Sequence, residues 1–282
     1  MTRKAPRFEL DPRVRPAHAA RSVAAEQLEY ALAGLARDDA EAIHEARKAC
    51  KKLRALLRLL RPFLGRAYRA ENSRLRDVGR ELSQGREATV LVETADAVFA
   101  GDESLEAIAD RLRERPQPKS HLSRREAQLL LHTQLRRVAE WPVRELSAGS
   151  LVVGLLEGYR RARKAYHHAR KEATPLCFHE WRKQAKYHGY QSALVSPLWP
   201  DPQSRIEQLK KLSDLLGEHH DLHVLAQTLR RDGDTLASRK MLKAARKRIN
   251  ARQKALADDA LKLGKVLFGA KPVDWLETAP TP

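Results

Sequence analysis

The sequence predicts an all-α protein, and three observations predict it. Leu, Ala, Arg, Lys and Glu dominate the 282 residues and aromatics make up only 5%, a balance that favours helices over sheets. Apolar residues recur at helical spacing, and no segment alternates apolar and polar over a strand's length. One amphipathic pattern also occurs twice, which argues for two helices that face the same object.

Residues 1–17 are Pro-rich and read as irregular. A helix of about 18–37 follows, with Val23, Leu28, Ala31, Leu32 and Leu35 on one side. Asp38 and Asp39 end it and offer an N-cap to a helix of about 41–62, which Pro62 helps to close. Beyond Gly65, a third helix of about 66–84 carries Arg76 and Arg80 as i,i+4 neighbours. Gly85 breaks the chain before a fourth helix of about 86–99. Gly101-Asp102 then turn it into a shorter helix of about 104–114. The Pro-bounded stretch RPQPKS is a loop, and the helix after it, about 121–140, is stopped by Trp141-Pro142.

The second half restarts near Ser147. A helix of about 148–171 turns Leu151, Val152, Leu155 and Leu156 inward and carries Arg160, Arg161, Arg163 and Lys164 beyond them. Thr174 is the N-cap and Pro175 the first residue of the next helix, which Ser196-Pro197 end. After the loop WPDPQ, a helix of about 203–216 carries Lys210 and Lys211 and stops at Gly217. Another spans about 219–231. Asp232-Gly233-Asp234 turn the chain into a long Lys- and Arg-rich helix of about 235–268, and a Pro-containing tail closes it. Trp141, Trp199 and Trp275 stand beside or near prolines and are expected to pack loops.

The helix of about 41–62 has an unusual polar side. With His44 at zero and 100° per residue, Arg47, Lys48, Lys51, Arg54 and Arg58 fall within about 80° of it. Leu53, Leu56, Leu57 and Leu60, with Ala46 and Ala49, fall opposite. Seven Lys and Arg in this window meet only Glu41 and Glu45. A solvated face is the ordinary meaning of a charge run, but such a face mixes signs because like charges repel. A nearly unbroken cationic line points instead to an anionic ligand.

The pattern H-E-x-R-K-x-x-K stands at His44-Glu45-x-Arg47-Lys48-x-x-Lys51 and again, 135 residues on, at His179-Glu180-x-Arg182-Lys183-x-x-Lys186. The match extends further at an offset of 134: Val90-Leu91 meets Val224-Leu225, Arg86-Glu87 meets His220-Asp221, and Arg76 meets Lys210. Residues 1–282 thus read as a single domain of two repeat halves, 18–140 and 148–268. Asp221 is expected at a helix N-terminus, capping it and anchoring a cation.

The chain carries 54 Lys and Arg against 36 Asp and Glu, a formal charge of +18, which draws it to polyanions. Hydrophobic content of 42% separates it from a disordered basic tail. Cys50 and Cys177 give no disulfide framework and suggest a reducing compartment; Cys50 borders an apolar stripe and is expected to be inert packing. The N-terminus MTRKAPRFELDPRVRP has no apolar core of a secretory signal, and no run approaches the ~18 apolar residues of a membrane span. A soluble, cytoplasmic protein is expected.

HEARKACKKLRALLRLLRP, ENSRLRDVGRELSQGRE, FHEWRKQAKY and LSDLLGEHHDLHVL together resemble the CHAD family, the conserved histidine α-helical domain, over about residues 18–268. The resemblance implies two similar helical bundles related by pseudo-two-fold symmetry around a basic central cavity. It also implies binding of inorganic polyphosphate, in some members at polyphosphate granules. One departure is Arg86-Glu87, where the family commonly has Arg-Asp; the carboxylate is kept on a longer stem. Some relatives carry an N-terminal triphosphate-tunnel domain, for which this chain is expected to have no room. The expected polyphosphate ligands are His44, Arg47, Lys48, Lys51, Arg54, Arg58, Arg76, Arg80 and Arg86 from the first half. The second half supplies Arg160, Arg163, His179, Arg182, Lys183, Lys186, Lys210, Lys211 and His220. His44 and His179 are expected to bond phosphate or orient a neighbouring cation, their alternative being helix packing.

Two rival functions draw on parts of the same sequence. HHDLH (His219 to His223), with His44, His179 and His188, could be drawn as the metal site of a phosphohydrolase. The aligned position in the first half is Arg86-Glu87, and Arg is not a ligand. No Walker-type loop or nucleophile elbow occurs, so no catalytic residue, metal or cofactor is expected. The charge would also permit a nucleic-acid binder. The only aromatics near the middle of a stripe helix are Trp181, Tyr187 and Tyr190, Trp181 points to the core side, and the cations sit mid-helix rather than at a tip. The cations of the long helix at about 235–268 (Arg239, Lys240, Lys243, Arg246, Lys247 and Arg248) are spread around it and read mostly as solvated surface.

Overall fold

The computed structural model of the chain describes residues 5–36, 40–82, 86–116, 123–198 and 203–277, and every regular element among them is a helix. Asp38-Asp39, Gly85, most of RPQPKS and the segment WPDP with Trp199 lie outside the described residues. The first half forms α1 (Pro16–Leu35), α2 (Ala40–Leu59), the single turn α3 (Arg61–Leu64), α4 (Ala67–Glu81), α5 (Arg86–Phe99), α6 (Glu103–Arg113) and α7 (Arg124–Val138). The second forms α8 (Ala148–Glu172), α9 (Pro175–Val195), α10 (Gln203–Arg231), the short α11 (Gly233–Leu236), α12 (Arg239–Phe268) and α13 (Pro272–Glu277).

Polar caps fix several helix starts. Asp102, Ser123, Ser147, Thr174 and Ser238 each accept a backbone N–H at the head of α6, α7, α8, α9 and α12. Thr174 stands before Pro175 as the sequence predicts. α8 ends at Ala173 in the left-handed conformation (φ 50°), so the chain turns at once into the Thr174 cap.

Several expectations change. The helix expected over about 41–62 divides into α2 and α3, with Pro62 in the first turn of α3, where its missing N–H does no harm. The helices expected on either side of Gly217 are one, α10. Gly217 is buried against α9, where an added Cβ would stand 3.5 Å from Arg182 Nε; the glycine serves close approach, not termination. Asp221 is therefore mid-helix and caps nothing. The tail ends in α13, and Trp275 packs on α8, stacked on Tyr159 with ring centroids 4.4 Å apart, rather than on a loop. Residues 5–10 are irregular as expected, yet Phe8 and Leu10 are buried, and Leu10 N–H donates to Leu194 O at the end of α9.

Two hydrophobic cores hold the helices, and each draws on both halves. The larger joins Leu28, Leu56, Leu75 and Leu131 of the first half to Leu155, Trp181, Leu212 and Phe268 of the second. The smaller joins Phe99 and Ile108 to Leu225, Leu236 and Ile249. At the 134-residue offset α4 and α5 both fall on α10, and α6 and α7 both fall on α12. The first half thus splits into four helices what the second makes with two long ones. α2 and α9 occupy corresponding places: α2 packs on α1 and α4, α9 on α8 and α10, and the two pack on each other. Cys50 is buried and its thiol pushed up to about 12 by burial, an inert packing residue as expected.

Candidate binding site

The apolar stripe of α2 (Ala46, Ala49, Leu53, Leu56 and Leu57), with Leu60 just beyond its end, is buried, which fixes where its cationic stripe must point. Trp181, Ala185 and His188 do the same for α9. Gln191 Nε2 of α9 donates to Ala55 O of α2 at 3.3 Å across their contact. Beside that contact lies a cavity of about 680 Å³, closed by α5 and α10. His44, Arg47, Lys48 and Lys51 line it from α2, Arg182 and Lys186 from α9, and Lys210 and His220 from α10.

The two copies of the repeat meet there electrically. Burial first, then Arg182, lowers the Lys186 pKa; Asp214 opposes this, and Lys48 and Arg47 of the other copy add to it. The glutamate of each copy has a definite task. Lys48 Nζ donates to Glu45 Oε1 at 3.3 Å, and Lys183 Nζ donates to Glu180 Oε2 at 2.6 Å. Both are i,i+3 pairs that fix the lysine against its helix.

Of the remaining predicted residues, those whose side chains are described are not among the ones lining the cavity. Arg54 Nε donates to Asn72 Oδ1 of α4 at 3.2 Å, and Arg58 stacks over Tyr187 at 4.1 Å from its centroid. Arg76 pairs with Asp77 at 3.0 Å on α4, and Arg80 is exposed on the same helix. Arg86 opens α5, and its side chain lies outside the described residues. On α8, Arg160 is exposed and Arg163 Nε donates to Ala270 O at 2.8 Å. Lys183 and Lys211 are exposed. His179 stands beside His220, ring centroids 4.2 Å apart. His188 lies elsewhere, fully buried among Tyr159, Phe268 and Trp275. Among the described residues no three His, Cys, Asp or Glu side chains form a group that could hold a metal ion.

Carboxylates also face the cavity: Glu87, Asp214 and Asp221. Glu87 and Asp221 are the aligned pair of the two halves. Asp214 escaped the sequence reading because the supposed stop at Gly217 hid its stripe. Along one continuous helix Lys210, Asp214, Gly217 and Asp221 lie at i, i+4, i+7 and i+11, within about 60° of one another. The imidazoles are held neutral. Burial, then His179 and Arg182, depresses His220 to about 4; burial, then His223, depresses His219 to about 4. Burial is also the first cause lowering the His179 pKa, followed by Arg182 and Lys183.

A second hollow, of about 700 Å³, adjoins the first and shares Val90, Arg182, Lys186, Asp214 and Asp221 with it. Its outer wall carries Arg248 and Arg252 of α12. Arg248 was expected to be solvated surface and Arg252 was not singled out.

Comparison with known proteins agrees with this architecture. The CHAD domain family matches residues 19–230. The crystal structure of the CHAD domain from the plant Ricinus communis superposes with a TM-score of 0.68 at 17% identity, covering 96% of this chain and 97% of that one. No curated protein matches the chain.

Proposed function

The chain belongs to the CHAD domain family, and from that premise we propose that it binds inorganic polyphosphate in the cavity beside the α2–α9 contact. One observation carries the proposal. Cations of both H-E-x-R-K-x-x-K copies, Arg47, Lys48 and Lys51 with Arg182 and Lys186, line a single cavity. Polyphosphate is a slender chain with about one negative charge per unit and no base to read, so its binder needs clustered cations and little else. Arg47 and Arg182 offer forked donors to phosphate oxygens, and the lysines offer compact charges. Recessed between low-dielectric walls, each contact is stronger than it would be on an open surface. Such a protein would sit with its ligand in the cytoplasm, at polyphosphate granules, and would hold the chain without cleaving it.

Nucleic acid is the alternative. Base recognition on a single strand uses exposed aromatic faces. Tyr187 is covered by Arg58, and Tyr190 is half-buried with Phe8 edge-on to it at 6.2 Å. Both arrangements favour polyphosphate. The test is competition between polyphosphate and DNA at one fixed salt concentration, with phosphate release followed in parallel. Polyphosphate should win, its affinity should fall steeply with ionic strength as counterions are released, and no phosphate should appear. Equal competition by DNA, or a nearly flat salt dependence, would contradict the proposal.

A further inference from the structure

We propose that this site has a second arm, built by α12 with Arg248 and Arg252, which engages only polyphosphate chains long enough to pass beyond Arg182 and Lys186. The inference rests on the polyphosphate reading of the first cavity and extends it to residues beyond position 230, where the family match ends.

The geometry is continuous. Arg182 and Lys186 belong to both hollows, so a chain seated on them from the α2 side meets the second hollow without leaving the protein surface. Gly217 keeps α10 close against Arg182 at this junction. On the far wall Arg248 and Arg252 are i,i+4 neighbours on one face of α12. Lys243 and Lys247 point roughly 100–140° away from Arg248 on the same helix. Both arginines are already oriented. Arg248 Nη2 donates to Ala100 O at 2.6 Å, and a guanidinium carries five N–H donors, so this bond and a phosphate contact are compatible. Arg252 Nε and Nη2 donate to the two carboxylate oxygens of Glu218 at 2.6 and 2.9 Å.

The arm differs in charge from the first cavity. Glu93 and Glu218 face Arg248 and Arg252, so its own charges balance. It therefore contributes little long-range attraction and acts through short-range forks to a chain already held by the basic cavity. Glu218 competes with phosphate for Arg252. A short chain, satisfied by Arg47, Lys51, Arg182 and Lys186, never reaches the arm; a long one does, and the second contact is then intramolecular.

The test compares tripolyphosphate with long-chain polyphosphate on the full-length protein at one salt concentration, with helicity checked by circular dichroism. Arg248→Gln with Arg252→Gln should weaken long-chain binding about tenfold, the scale of a single contact to a charged group, and tripolyphosphate binding far less. Glu218→Gln should act in the opposite direction, tightening long-chain binding by freeing Arg252 for phosphate. Equal losses for both ligands, or long-chain binding unmoved by either variant, would overturn the arm and leave the first cavity standing. If neither ligand binds the unaltered protein, the polyphosphate reading fails and the arm fails with it.

Discussion

His220 couples the charge of the cavity to pH. In the folded chain burial and neighbouring His179 and Arg182 hold its pKa to about 4, and His219 is held to about 4 by burial and His223. Unfolded, both titrate near the ordinary value of about 6.5. The unfolded state thus binds more protons over this window. The stability these groups contribute is complete above about pH 6.5 and is lost as the pH falls through about 4. A bound polyanion reverses the local field and favours the imidazolium. Between about pH 7.5 and 5.5, polyphosphate affinity should therefore rise while the melting temperature of the free protein falls. His220→Gln should flatten the affinity profile and leave much of the thermal trend, because His219 and His188 remain buried. Affinity constant across that range, measured by titration at fixed ionic strength, would show that the imidazoles do not take part. The sequence placed His44 and His179 in the stripes because both follow from one periodicity. It could not show that His179 and His220 touch, since they belong to different helices.

At the scale of elements, helix starts were legible because capping is local chemistry: Thr174-Pro175, Ser147 and Asp102 announce themselves within four residues. Gly217 misled because a helix-ending glycine and a close-packing glycine look alike in one dimension. Only the tertiary neighbour, Arg182, separates the two meanings. Gly154 is a sharper case of the same role. An added Cβ there would lie 2.0 Å from Leu59 O, where α8 crosses α2. Gly→Ala within a helix ordinarily stabilises by about 1 kcal/mol. At 154 the sign should reverse, with a loss of roughly 1–3 kcal/mol as the two helices are forced apart. Gly149→Ala is the matched control on the same helix, since its Cβ would meet only Ser147 Oγ at 3.8 Å. Urea unfolding midpoints would separate the two, and a Gly154→Ala protein as stable as the control would mean that the crossing is looser than this packing requires.

For the whole molecule, the fold class and the repeat were legible because periodicity and repetition are properties of the chain itself. The second arm was not, because Arg252 meets Glu218 across 34 residues and two helices. Charge is the least legible quantity. With 54 Lys and Arg in the sequence, cations alone cannot tell a site from a surface. The central claim is that the two motif helices share one ligand, and a pair of charge reversals tests it. Arg47→Glu with Arg182→Glu removes one cavity cation from each half. Lys243→Glu with Lys247→Glu makes the same change in net charge on the exposed side of α12. Contacts to charged groups are worth about 1.5–3 kcal/mol each, whereas a screened surface charge beyond a Debye length contributes little. Binding of one defined-length polyphosphate, measured for both variants at one salt concentration, should fall by about a hundredfold or more for the cavity pair and only slightly for the surface pair. Equal losses would mean that a diffuse cloud of charge, and not a cavity shared by the two repeats, holds the ligand.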